Sequence, residues 1–313
     1  MAKNKFLNPA DFIVPLNING LEGRMLHLPG PKNARHEVLF VYGHHSSLER
    51  WWGIAKFINR YAAVTMPDLP GFGAMDSFYT IGKDASIDNY ADYLASFVKL
   101  RYKRKKMIIV GMSFGFIVVT RMLQRCPDLT KKVEMLVSFA GFAHRDDFTF
   151  TKTRWRFYYH LSKFFSHRLP AFFFRYVCLH PAVLRAAYRR THNAKQKFEG
   201  IVGEELEEIT RFEIKLWHDN DVRSYMKTTT EFLNLNNCDK KIDMPVYHIG
   251  VAADRYFDNL RVEQHFRVIF SDFILFKTLK ISNHAPSVVA DEKAAAMFIP
   301  PKFRRMLQGK VAI

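Results

Sequence analysis

Gly111-Met112-Ser113-Phe114-Gly115 is bounded by an aliphatic run on each side, Met107-Ile108-Ile109-Val110 before it and Phe116-Ile117-Val118-Val119 after it. That order predicts a buried strand, a sharp turn and a helix from Phe114 to Arg125. A serine on such a turn stands on strained backbone with its hydroxyl clear of the sheet. Glycines two residues to either side are needed because neighbouring backbone leaves no room for a Cβ. Ser113 is therefore a candidate nucleophile, and the Phe114 amide, opening the helix, a candidate donor to a developing oxyanion. The pentapeptide alone also suits a glycine-rich strand-to-helix turn without chemistry, so its neighbours must decide.

Outward from this stretch, strand and helix patterns alternate. Towards the N-terminus lie a strand pair (Phe12 to Asn17 and Arg24 to Leu28, with Asn19-Gly20 as the turn), a strand Glu37 to Tyr42, a helix Glu49 to Arg60, a strand Ala62 to Met66 and a helix Ile87 to Val98. Towards the C-terminus lie strands Val133 to Ala140 and Pro245 to Ile249, a helix Leu260 to Phe270, a strand Phe273 to Leu279 and a helix Pro286 to Phe298. Such alternation predicts an α/β chain with a mostly parallel sheet covered on both faces, its antiparallel start making the sheet mixed. Between about 146 and 243 the β pattern stops. Aromatic residues and helix formers dominate there, and Leu169-Pro170 and His180-Pro181 divide the segment into short helices. The expected organisation is a core in two parts, 1–145 and 244–313, with a helical cap over 146–243.

With these landmarks the chain resembles an α/β-hydrolase of the serine type with a cap domain, over about Leu21 to Phe298. The resemblance implies an eight-stranded-type sheet. Tyr42-Gly43-His44-His45 stands where the family usually has His-Gly, so Tyr42 is a departure. The resemblance makes the His44 backbone N–H the second oxyanion donor beside that of Phe114. Asp68-Leu-Pro-Gly-Phe-Gly73 is similar to the family's Asp-x-x-Gly-x-Gly turn, whose aspartate accepts bonds from its own loop. His284, in Ser282-Asn283-His284-Ala285-Pro286, stands where the family places its catalytic histidine, and Asp254, in Gly250-Val-Ala-Ala-Asp254, where it places the acid. The order Ser, Asp, His is that of the fold. Asp258, and Asp146 with Asp147, remain alternative acids. Tyr42, His45, Trp155 and Phe172 are candidate pocket residues.

The implied activity is hydrolysis of an ester or thioester with a substantial apolar acyl group, of carboxylesterase or monoacylglycerol-lipase type. Carbon–carbon bond hydrolysis by the same residues, or a non-catalytic membrane-associated binding role, are the alternatives. An elbow serine disfavours epoxide hydrolases and haloalkane dehalogenases, which use an aspartate there. The resemblance implies no cofactor and no metal, and the three scattered cysteines (Cys126, Cys178, Cys238) offer neither a zinc site nor a disulfide framework.

Of 313 residues, 48% are hydrophobic and 25% charged, which is globular; the net charge of +17 is the outlier. It admits acidic partners, among them anionic membrane. No nucleic-acid reading module is apparent. Neither a secretory signal nor an apolar run long enough to span a membrane is visible, so the expectation is a cytoplasmic protein with peripheral membrane contact left open. Two basic runs differ in meaning. Arg101 to Lys106 reads as a solvated connector. The stretches Trp155 to Phe165, Ala171 to Tyr176 and Leu184 to Arg190 mix cations with bulky rings, as an interfacial helix or a substrate-pocket wall would. An acidic amphipathic stretch from Glu199 to Glu213 reads as a solvated helix facing that basic half.

Overall fold

Eight strands form one sheet: β1 (Ile13–Ile18), β2 (Leu21–Leu28), β3 (Glu37–Val41), β4 (Ala63–Pro67), β5 (Met107–Met112), β6 (Val133–Phe139), β7 (Ile242–Val251) and β8 (Phe270–Leu279). The computed structural model describes residues 9–190, 203–281, 284 and 292–311. Strand order is β1-β2-β4-β3-β5-β6-β7-β8. β1 and β2 are antiparallel to their neighbours, and every pairing from β4 to β8 is parallel. Every residue of β3 and β5 is buried, as continuous apolar strands covered on both faces must be. The first hairpin turns at Asn19 and Gly20, both at positive φ (53° and 82°), the backbone that an Asn-Gly pair favours.

The expected α/β architecture is thus present, with local differences. The helix expected from Glu49 begins as a 3₁₀ turn (Glu49–Trp51) before α1 (Trp52–Asn59). α2 (Ile87–Arg101) is capped by Ser86, whose side chain accepts from the Asn89 amide, and packs on α3 (Phe114–Arg125). β7 begins before Pro245. The missing proline N–H is tolerated because the register to β8 shifts between Ile242 and Pro245. The connector Arg101 to Lys106 is tied as well as solvated, with Arg101 Nη2 3.2 Å from Glu37 Oε1.

Between β6 and β7 lie the helices α4 (Lys152–Phe165), α5 (Arg168–Phe173) running into a π turn (Phe174–Cys178), α6 (Pro181–Arg190), α7 (Gly203–Asp219) and α8 (Val222–Leu233). Both prolines lie in first turns, Pro170 in α5 and Pro181 opening α6, where no N–H is required. The insertion has a small core of its own, with Ala171, Leu179, Leu184, Ile214, Val222 and Met226 buried together. The acidic helix α7 packs on α6, but its Glu213 is buried and pairs with Arg50 of the main body at 2.5 Å. It is not merely a solvated face, and residues 199–202 of that stretch lie outside the described residues.

After β7 come α9 (Asn259–Ile269), β8, α10 (Glu292–Phe298) and α11 (Pro301–Leu307). Residues 286–291 of the expected last helix lie outside the described residues, and α11 was not anticipated. It buries Phe303, Met306 and Leu307 in the main core.

Candidate active site

Ser113 joins β5 to α3 at φ 46° and ψ −116°, a backbone conformation that a residue with a Cβ rarely adopts and that costs about 1–3 kcal/mol. Close packing explains the flanking glycines. A Cβ at Gly111 would lie 2.7 Å from the Phe116 Cα, and one at Gly115 would run into the Val41 and Tyr42 carbonyl oxygens. The turn is anchored from the next strand, since the Ser113 amide donates to the Phe139 carbonyl at 3.0 Å.

Three residues far apart in sequence meet here. Ser113 Oγ lies 2.9 Å from His284 Nε2, and His284 Nδ1 lies 2.6 Å from Asp254 Oδ2. The other Asp254 oxygen accepts the amides of Tyr256 (2.8 Å) and Phe257 (3.3 Å), which aims the carboxylate. The Asp254 side chain is 3% exposed and that of His284 13%, and the Tyr256 and Phe257 rings flank the imidazole at 5.6 and 5.1 Å. So held, Nδ1–H donates to the carboxylate, Nε2 is the free acceptor, and the serine hydroxyl can pass its proton to it. The described residues contain no cluster of three or more metal-ligating side chains.

The alternative acids have other partners. Asp258 caps α9, accepting from the amides of Leu260 and Arg261. Asp146 is exposed, near His144 and Arg145. Asp147 is fully buried. It accepts the amides of Ala143 and His144 and pairs with His265 Nδ1 at 2.5 Å, tying the loop after β6 to α9.

The β3 exit runs beside the serine. A Cβ on Gly43 would sit 3.3 Å from Ser113 Cβ, so the Gly43–His44 link passes close to Ser113, as does the Phe114 amide at the open N-terminus of α3. The His44 side chain points away, its Nε2 2.7 Å from Thr228 Oγ1. Rings of Tyr225 (4.4 Å), Phe232 (5.2 Å), Phe72 (5.4 Å) and Phe114 (5.5 Å) surround it. Loss of water among these rings pushes its pKa down to about 3, so it stays neutral.

Of the four expected pocket residues, two belong elsewhere. Tyr42 is fully buried. Its hydroxyl donates to Asp68 Oδ1 at 2.7 Å and accepts the Leu69 amide at 2.9 Å. Asp68 also receives Arg24 Nε (2.7 Å) and, as its turn motif implied, an amide of its own loop, that of Ala74 (3.1 Å). Burial pushes the Asp68 pKa up to about 6 against the pull of Arg24 and the Tyr42 hydroxyl. Phe172 is 63% exposed, because α5 turns Ala171 inward instead. Trp155 is half-buried and donates Nε1–H to the Leu233 carbonyl at 2.9 Å, fastening α4 to the end of α8. His45, at φ 53°, lies against the Trp217 ring (3.9 Å) with Nδ1 3.0 Å from Asn220 Nδ2. The rings around the His44 side chain (Phe72, Tyr225, Phe232) and around the His284 imidazole (Tyr256, Phe257) escaped sequence reasoning. Tyr225, Thr228 and Phe232 share one face of α8 by their spacing, a signal that existed but did not say what the face meets. Below the site, His248 is buried with Nδ1 3.0 Å from Ser138 Oγ, and burial pushes its pKa down to about 4.

No curated protein matches the chain significantly in sequence. Among solved structures it is similar to a putative lipase from Acinetobacter baumannii (TM-score 0.66, 14% identity, 96% of this chain and 92% of that one). It is also similar to a thermophilic esterase from Thermogutta terrifontis (0.60, 14%, 95% and 97%) and to an epoxide hydrolase (0.61, 13%, 91% and 95%). At these identities the likeness establishes the fold and leaves the reaction to the residues of the site. The sequence profile of the alpha/beta hydrolase fold matches residues 37–271, most of the chain. With the eight-stranded, mostly parallel sheet in agreement, the chain belongs to the α/β-hydrolase family.

Proposed function

We propose that this hydrolase is a serine ester hydrolase, forming an acyl-enzyme on Ser113 from an ester or thioester with a substantial apolar acyl group. The observation that carries the reading is the continuous hydrogen-bonded line from Ser113 Oγ through His284 to Asp254, on backbone strained to present the hydroxyl. In this reading Ser113 Oγ attacks the carbonyl carbon while His284 Nε2 takes the hydroxyl proton. Asp254 holds the Nδ1–H tautomer and stabilises the imidazolium that forms. The developing oxyanion faces the Phe114 and His44 backbone amides. His284 then returns its proton to the leaving alcohol or thiol, and a water activated by the same nitrogen attacks the acyl carbon and frees the acid and Ser113.

The aromatic rings around His284 and around the neighbouring His44 support an apolar substrate. In the same reading the helical insertion serves as a cap. It is fastened over the strand ends by Thr228 to His44, by the Asn220 side chain accepting the Gly73 amide at 2.9 Å, and by the Asp221 amide donating to the Gly71 carbonyl at 2.8 Å.

Turnover of p-nitrophenyl esters of increasing chain length, by wild type and by Ser113→Ala, tests the assignment together with fluorophosphonate labelling. Expected are labelling of wild type only, loss of turnover in the variant, and a rate optimum beyond acetate. Absence of labelling in folded wild type would refute the nucleophile. Labelling without turnover of any ester would refute the substrate class and favour carbon–carbon bond hydrolysis.

A further inference from the structure

The first half of the insertion leaves large apolar side chains uncovered. On α4, Phe157, Leu161 and Phe164 recur at the spacing of one helix face and are exposed. The same surface type continues through α5 and the π turn, where Leu169 is 81% exposed, Phe172 63% and Tyr176 60%, with Phe173 and Val177 beside them. Isolated exposed hydrophobics need no explanation, but a run of this extent along consecutive helices does.

Charge narrows what can cover it. Arg154, Arg156, Lys163 and Arg168 are exposed among these rings, and no Asp or Glu occurs in the sequence between Phe148 and Lys197. A second copy docked on the same face would set these cations against like charges. The basic character continues into a cleft of about 500 Å3 at the start of α4, lined by Arg145, Lys152, Arg156 and Arg261 beside Phe150 and Trp155, with Asp146 as its acid. None of the described helices is long and apolar enough to cross a membrane. Short helices with rings on the outer face and cations between them suit the boundary of acyl chains and anionic headgroups.

We infer that the face formed by α4, α5 and the π turn docks this protein, peripherally, on an anionic lipid bilayer, rings entering the acyl boundary and cations meeting the headgroups. The face also leads to the reactive serine. From Phe157 the rings of Tyr158 (5.7 Å), Phe150 (5.5 Å) and Tyr256 (6.3 Å) follow one another to His284 (5.6 Å). Delivery of a membrane-dissolved ester along that line rests on the hydrolase reading; the docking itself does not.

Flotation of the full-length protein with vesicles of phosphatidylcholine, with and without phosphatidylglycerol, tests the docking without any turnover. Wild type is expected to float with the anionic vesicles and to be released by salt. Arg156→Gln/Lys163→Gln/Arg168→Gln is expected to weaken binding by on the order of a hundredfold, from three cations at the headgroups. Phe157→Ser/Leu169→Ser/Tyr176→Ser is expected to weaken it by roughly tenfold or more, while both variants keep the circular dichroism and short-ester turnover of wild type. No flotation of wild type, equal flotation with neutral vesicles, or a solution dimer that the ring variant dissolves would each overturn the inference, the last assigning the face to a second copy.

Discussion

Removing one oxygen atom, in Tyr42→Phe, separates a buried strut from a pocket wall. The Tyr42 hydroxyl makes two bonds in the core, donating to Asp68 at 2.7 Å and accepting from the Leu69 amide at 2.9 Å. A hydrogen bond to a charged group contributes about 1.5–3 kcal/mol, and an orphaned buried amide costs about 1–3 kcal/mol. Arg24 and the Ala74 amide still hold the carboxylate, so the expected loss is about 3 kcal/mol, read by urea denaturation. The loss should grow with pH. Burial raises the folded Asp68 pKa to about 6, above its ordinary 3.8, so this group's contribution declines as pH rises through that window. The Tyr42 hydroxyl pulls that pKa down, so removing it lifts the pKa further and enlarges the total decline. The variant's deficit is therefore larger near pH 8 than near pH 5, by roughly 1 kcal/mol per unit of added shift. Because Gly43 and His44 follow directly, ester turnover should lose kcat with KM little changed. Unchanged stability together with an altered KM would refute the argument and return Tyr42 to the substrate pocket.

Two further outcomes follow from the same geometry. Asp254→Asn should lower kcat by on the order of 10⁴ with the fold intact, since the asparagine cannot hold the required imidazole tautomer. Asp258→Ala should cost about 1 kcal/mol of stability through loss of the α9 cap and leave kcat unchanged; the reverse pattern would make Asp258 the acid. The buried His248 also makes a pH prediction. Its folded pKa, about 4, lies below the ordinary 6.5, so the unfolded chain takes up the proton first. The stability it contributes is complete above the ordinary value and is lost as pH falls through that window. Wild type should therefore lose about 2 kcal/mol relative to His248→Gln between about pH 8 and pH 5, and parallel stability curves would contradict the assignment of a neutral buried imidazole.

Much of this molecule is legible in its sequence. Alternation of apolar strands with 3.6-period helices specified a covered parallel sheet, and β5, the serine turn and α3 fell where the glycine spacing put them. Chain order was enough to nominate Ser113, Asp254 and His284, because side chains at strand ends need only the sheet to bring them together. Less legible were elements decided by long-range contact. The amphipathic tail that becomes α11 is a helix because the sheet face offers Phe303 and Leu307 a place to bury. Asp147 could not be told from a reactive acid until His265 arrived from α9.

By itself, then, the sequence determined the periodicities, the turns and the residue types available to each strand end, all of which depend on local sterics and neighbouring side chains. Tertiary structure alone decided the direction of side chains with no local preference. Tyr42 turned into the core to satisfy Asp68, Phe172 turned out to solvent, and Tyr225 and Phe232 turned onto His44. The physical reason is that a helix or strand pattern says which residues share a face, whereas burial energy and hydrogen-bond satisfaction depend on what the rest of the chain places opposite that face.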